Sequence, residues 1–132
     1  MRSYPRPFFQ DSTPAAFRVA QVTNDQFGTR IAVAGEIDMD TAAELDDALT
    51  GVLDQYAHPR LELDLREVSF IDSSGLRTLI SCHAQAARRG CALVLTHPQP
   101  AVHQVLLITN LLALFGLSET AEAGSALDTS AS

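Results

Sequence analysis

The 132-residue chain has no tryptophan and no lysine, and all nine of its basic residues are arginine. Against sixteen Asp and Glu they leave a formal net charge of −7, with no basic stripe to neutralise nucleic-acid phosphates. Cysteine is scarce too. Cys82 and Cys91 are too few and too oddly placed for a disulfide framework or a metal site, and Cys91, opening an apolar stretch, reads as a small buried hydrophobe. Long apolar runs are missing: the longest, residues 105–117, is interrupted by Asn110 and falls short of the ~20 residues that span a bilayer. Residues 1–14 hold prolines and charges but no continuous apolar core, so no export signal is expected there. These exclusions lead to an expected cytoplasmic protein with no nucleic-acid or membrane partner, no cofactor and no metal.

What is present suffices for one compact α/β domain. Hydrophobic residues make up 46% of the chain, enough for one core at this length. Residues 1–14, with Pro5, Pro7 and Pro14, read as a flexible tail in which Phe8 and Phe9 stand out as groups for docking on the domain or on a partner. Residues 119–132, rich in Ala, Ser, Gly and Thr, read as a second tail, leaving 15–118 as the domain.

Between the tails, helix and strand patterns alternate. Residues 17–22 and 30–35 suggest two strands around a turn at Gln26-Phe27-Gly28. A helix follows, with Thr41 and Glu44 placed for a capping box and a stripe of Ala42, Leu45, Leu49, Val52, Leu53 and Tyr56. His58-Pro59 ends it, because the residue before proline is pushed out of helical geometry. Leu61, Leu63 and Leu65 alternate with Glu62, Asp64 and Arg66, a strand with one buried and one wetter face. A second helix is expected from about Ser74 to Arg89, with Leu76, Leu79, Ile80, His83, Ala84 and Ala87 on its apolar side and Gly90 as its left-handed stop. Residues 91–95 form a short apolar run typical of a strand buried on both faces. A last helix opens at Pro98 or Pro100 and reaches about Ile108, with Asn110 as its cap. The order β-β-α-β-α-β-α predicts a mixed, largely parallel sheet with helices packed against it.

The acid is concentrated. Glu36, Asp38, Asp40, Glu44, Asp46 and Asp47 fall in one short segment, and no basic residue lies between Ile31 and Pro59. That segment fits a solvated helix face and equally a negative surface that selects a basic partner.

The most informative stretch is Ser69-Phe70-Ile71-Asp72-Ser73-Ser74-Gly75-Leu76, at a strand-to-helix junction. Two hydroxyls and a glycine sit where unpaired backbone N–H groups favour added negative charge. An isolated Ser-Ser-Gly would read as helix capping. Here it stands in register with Gly35-Glu36-Ile37-Asp38 and Thr41-Ala42 before it, and with Pro100-Ala101-Val102, Leu106 and Asn110-Leu111 after it. Together these blocks resemble the STAS domain, and more narrowly the bacterial anti-sigma factor antagonists, over roughly residues 16–118.

The resemblance implies a partner-switching cycle. The unphosphorylated antagonist binds an anti-sigma factor that is also a serine kinase, and so frees a sigma factor. Phosphorylation of the first motif serine, here Ser73, releases the partner, and a serine phosphatase resets the protein. Asp72, Ser74, Gly75, Asp38 and Thr41 would then support the switch loop and the partner surface. Asp38 reads equally as a turn residue with an Asx-type hydrogen bond, Thr41 as a cap, and Ser74 as capping or backbone support. The chain departs from the family at His103-Gln104, where a basic residue is common, and at Asn110, where glycine is usual.

Other readings are weaker. An enzyme using Ser73 as nucleophile lacks a Gly-x-Ser-x-Gly elbow and a recognisable pairing with His58, His83, His97 or His103, so no catalysis is expected. His83 reads as a packed histidine rather than a metal ligand. The main alternative keeps the fold without the switch, as a regulatory or scaffolding STAS subunit of a transporter or sensory complex.

Overall fold

A computed structural model of the chain describes residues 17–26, 28–55 and 59–119. Residues 1–14 with Phe8 and Phe9, the tail beyond Glu119, and Phe27, Tyr56 and His58 lie outside the described residues. The elements run β1 (Arg18–Asp25), β2 (Gly28–Ile37), α1 (Ala42–Gln55), β3 (Arg60–Ile71), α2 (Ser73–Arg88), β4 (Ala92–Thr96), α3 (Pro100–Ile108) and a short 3-10 turn (Ala113–Phe115). The order matches the one expected, with boundaries shifted by a few residues.

The four strands form one sheet in the order β1-β2-β3-β4. β1 pairs antiparallel with β2, while β2, β3 and β4 are parallel. Parallel neighbours need crossovers, and α1 and α2 supply them. Both crossovers step the same way across the sheet, and right-handed connections then put both helices on one face. The two helices pack on each other, and α2 also touches β3 and β4. None of the described helices is long and apolar enough to cross a membrane.

A single core joins the layers. Leu45 and Leu49 of α1, Leu79 and Cys82 of α2, Ile31 of β2, Leu63 and Leu65 of β3, and Leu93 and Leu95 of β4 all belong to it. The pairing of β2 with β3 is irregular between Ala32 and Ala34 and again between Gly35 and Glu36. That irregularity breaks strict alternation, which is why Val33, Ala34 and Gly35 are buried in succession.

Four expectations are corrected. The buried face of α2 is Leu76, Leu79, Cys82 and Ala86, whereas Ile80, Ala84 and Ala87 point to solvent. Alanines carry little weight in a periodicity count, so the true stripe was displaced. β4 alternates buried and more accessible positions, because it is an edge strand with one covered face. Asp64 is 4% exposed rather than on a wet face. Arg30 reaches it from β2, and the Arg66 N–H donates to its Oδ1 at 2.9 Å. Buried charge requires such partners. Finally, α3 ends at Ile108 as expected, but its C-cap is Thr109, with Asn110 just after it in the left-handed region (φ 63°).

Candidate functional site

The C-terminal edge of the parallel strands places the motif. Ile37 and Ile71 are register partners at the ends of β2 and β3. Asp38 and Asp72 therefore leave the sheet side by side, at the end where ligands and partners meet open α/β sheets. The Asp72 N–H donates to the Ile37 carbonyl at 3.1 Å, tying the two exits together.

Asp72 is the N-cap of α2, with extended backbone at φ −117° and ψ −170°. Its Oδ1 accepts from the N–H of Ser74 at 2.9 Å and of Gly75 at 3.1 Å, while its carbonyl accepts from Leu76 at 2.9 Å. The carboxylate thus satisfies two of the orphan donors at the helix start. The capping expected of the serines falls to the aspartate before them. Ser74 is half-buried and contributes its backbone N–H to the cap; Ser73, at the first helical position, is exposed. The Ser73 hydroxyl has no hydrogen-bond partner among the described residues.

Gly75 is required by close approach. A Cβ there would stand 2.7 Å from Ile37 Cγ2, 2.7 Å from Ile71 Cγ1 and 2.9 Å from the Ile37 carbonyl. Only a residue without a side chain lets α2 start this close to β2 and β3.

The neighbouring loop is built by Asp38 and Thr41. Asp38 Oδ1 accepts from the N–H of Asp40 at 2.9 Å and of Thr41 at 3.1 Å, the Asx-type turn. The Thr41 hydroxyl donates to the Glu36 carbonyl at 2.7 Å and accepts from the Asp38 N–H at 2.9 Å. It closes the loop onto β2, so the expected capping box with Glu44 does not form. Asp38 and Thr41 reach the Asp72-Ser73-Ser74-Gly75 turn through this shared edge rather than by side-chain contact with Ser73.

An open groove of about 540 Å³ runs between α1 and α2 from this edge. Met39, Asp46, Ser74, Arg77 and Thr78 are among the residues lining it. Met39 is 75% exposed, an apolar contact that a count of polar motif residues passes over. Arg77, also not singled out from the sequence, is exposed and has no ion pair or hydrogen bond among the described residues. Its signal was its position four residues after Ser73. Beneath the groove the Cys82 thiol donates to Asp46 Oδ1 at 3.5 Å. Burial first, then that bond and the charge of Asp46, push its pKa up to about 12. Burial likewise raises Cys91.

His83 and His103 lie elsewhere. His83 packs edge-on against Phe115, with ring centroids 5.6 Å apart. His103 is buried, and its Nε2 lies 2.9 Å from the Ser118 carbonyl, where the N–H donates. No group of three or more His, Cys, Asp or Glu among the described residues is placed to hold a metal ion.

Comparison with known proteins agrees with this arrangement. The family described as "Mlab, STAS domain" matches residues 20–116. An anti-sigma-B factor antagonist of Bacillus subtilis (strain 168) is 29% identical over 106 residues, covering 80% of this chain and 93% of that protein. The crystal structure of an anti-sigma factor antagonist from Mycobacterium paratuberculosis superposes with a TM-score of 0.66 at 28% identity, over 80% of this chain and 87% of that one. The antagonist SpoIIAA in its unphosphorylated form shares the fold, with a TM-score of 0.62 at 20% identity over 89% and 98% of the two chains.

Proposed function

The chain belongs to the STAS domain family, and from that premise we propose that it is an anti-sigma factor antagonist whose grip on its partner is released by phosphorylation of Ser73. The observation that carries this reading is the exposed Ser73 hydroxyl, without a hydrogen-bond partner among the described residues, at the first position of α2 and held out by a turn that Asp72 caps. The similarity to two antagonists along most of their length supports the general role.

In this reading the unphosphorylated face docks on an anti-sigma factor with serine kinase activity. The kinase transfers the ATP γ-phosphoryl group to Ser73 Oγ, the hydroxyl proton departs, and ADP leaves. A serine phosphatase reverses the change by hydrolysis. The phosphate adds roughly −1.5 to −2 charges and three strong acceptors. The start of α2 tolerates this, at a gain on the order of 0.3–1 kcal/mol at an exposed site. Across an interface the same dianion beside Asp72 and Asp38 meets a surface fitted to a neutral hydroxyl, and such a mismatch costs several kcal/mol. About 1.4 kcal/mol is already tenfold in affinity. Release then needs no change of fold.

Incubation with candidate anti-sigma kinases, ATP and Mg²⁺, followed by mass-spectrometric mapping, tests the reading. Phosphate on Ser73 that is absent from Ser73→Ala is the expected result. A bound candidate kinase that leaves the protein unmodified would favour a STAS subunit without a phospho-switch.

A further inference from the structure

Resting on the reading of Ser73 as the phosphorylated serine, we propose that Arg77 is an intramolecular clamp for the Ser73 phosphate, closing an ion pair along the first turn of α2. Ser73 and Arg77 are four residues apart in one helix, which puts their Cβ atoms about 5–6 Å apart on the same face. Helical side chains lean toward the helix N-terminus, which puts Ser73 within reach of the long stem of Arg77.

Arg77 is also available. Arg30, Arg60 and Arg89 are all engaged with carboxylates, whereas Arg77 has no such partner among the described residues although it shares the groove with Asp46. The carboxylate beside Ser73 does not hold it: Asp72 Oδ1 accepts from two backbone N–H groups, and no ion pair joins Asp72 to Arg77 among the described residues. A guanidinium is planar and always charged, with donors spaced to meet two phosphate oxygens. A hydroxyl at position 73 offers it little; a dianion offers a matched partner.

The clamp changes the surface at the start of α2 at two points. It adds the phosphate, and it draws away the guanidinium that an acidic group on a partner would otherwise meet. The charged groups at this end of α2 are Asp72 on its own turn, Asp38 from the adjoining loop, and Asp46 of α1, which lines the groove with Arg77. The three acids raise the phosphate's second pKa, and Arg77 lowers it.

Phosphoserine encoded at position 73 of the full chain allows a test that needs no kinase. Its second pKa is measured by ³¹P NMR titration in the parent and in the Arg77→Gln and Arg88→Gln variants. Both substitutions remove one exposed positive charge and keep similar helix propensity. Arg88 stands ~22 Å along the helix from Ser73, more than two Debye lengths at physiological salt. The expected result is a pKa higher by roughly half a unit in Arg77→Gln and unchanged in Arg88→Gln. An unchanged value in Arg77→Gln, or an equal rise in both variants, overturns the clamp. Kinase mapping fails or succeeds separately: phosphate on Ser73 with no Arg77 effect leaves the switch standing and removes only the clamp.

Discussion

Ile37 and Gly75 meet where β2 ends and α2 begins, and a methyl group on Gly75 would lie 2.9 Å from the Ile37 carbonyl oxygen. The contact holds the exposed Ser73 at a set height above the sheet edge. It joins backbone to backbone, so neither side can yield by rotating a side chain.

Gly75→Ala is therefore expected to destabilise the domain by about 1–3 kcal/mol, as over-packing does. Gly51 is the control, since it too is helical but has nothing within 4 Å of an added Cβ. Gly51→Ala should stabilise by about 0.5–1 kcal/mol through helix propensity. Urea unfolding midpoints of the two variants should move in opposite directions.

Removing the cap separates stability from charge. Asp72→Ala loses the acceptor for two N–H groups and should cost about 1 kcal/mol. Asp72→Asn keeps an acceptor oxygen and should unfold close to the parent. Thermal unfolding of both variants is the check.

Cys82 makes stability fall at high pH. Its thiol ionises near 9.0 in an ordinary setting and is pushed up to about 12 in the fold. Between those values the unfolded chain releases the proton while the folded chain keeps it, so stability declines as pH rises above about 9. Below that range the thiol contributes no slope. Unfolding free energy measured from pH 8 to 10.5 should fall less steeply in Cys82→Ala than in the parent. Native Cys82 should also resist alkylation at pH 8, where reaction needs the thiolate.

The Arg30–Asp64 pair is the most buried ion pair among the described residues. Asp64 is 4% exposed and Arg30 is more accessible, so loss of the arginine leaves a buried carboxylate without its cation. Arg30→Met should cost about 1–3 kcal/mol in urea unfolding. Arg89→Met, which breaks the exposed pair with Asp54, should cost under about 1 kcal/mol.

Much of the fold was legible because its signals are local. The stop at Gly90 is realised with φ 75°, and the Cys91 N–H donates to the Ala86 carbonyl at 2.9 Å. The leucines at 45, 49, 61, 63 and 65 are buried as their spacing predicts. The Thr41–Glu44 signal failed for an equally physical reason: the Thr41 oxygen, which would accept from the Glu44 N–H in a capping box, accepts from the Asp38 N–H instead, while its hydroxyl donates to the Glu36 carbonyl on the strand just left behind. Competing partners a few residues back do not register in a pattern read forward along a helix.

The sequence alone determined the order of elements, their stops and the Asp72-Ser73-Ser74-Gly75 turn, because each depends on groups within about one helical turn or one strand. Tertiary structure decided which face of α2 is covered, that Asp64 is buried against Arg30, and that Asp38 and Asp72 leave the sheet together. It also decided that Arg77 and Met39 line the groove beside the motif. Those outcomes follow from the register of β2 against β3 and from the packing of α1 on α2. Both join residues tens of positions apart, and no local pattern encodes that distance.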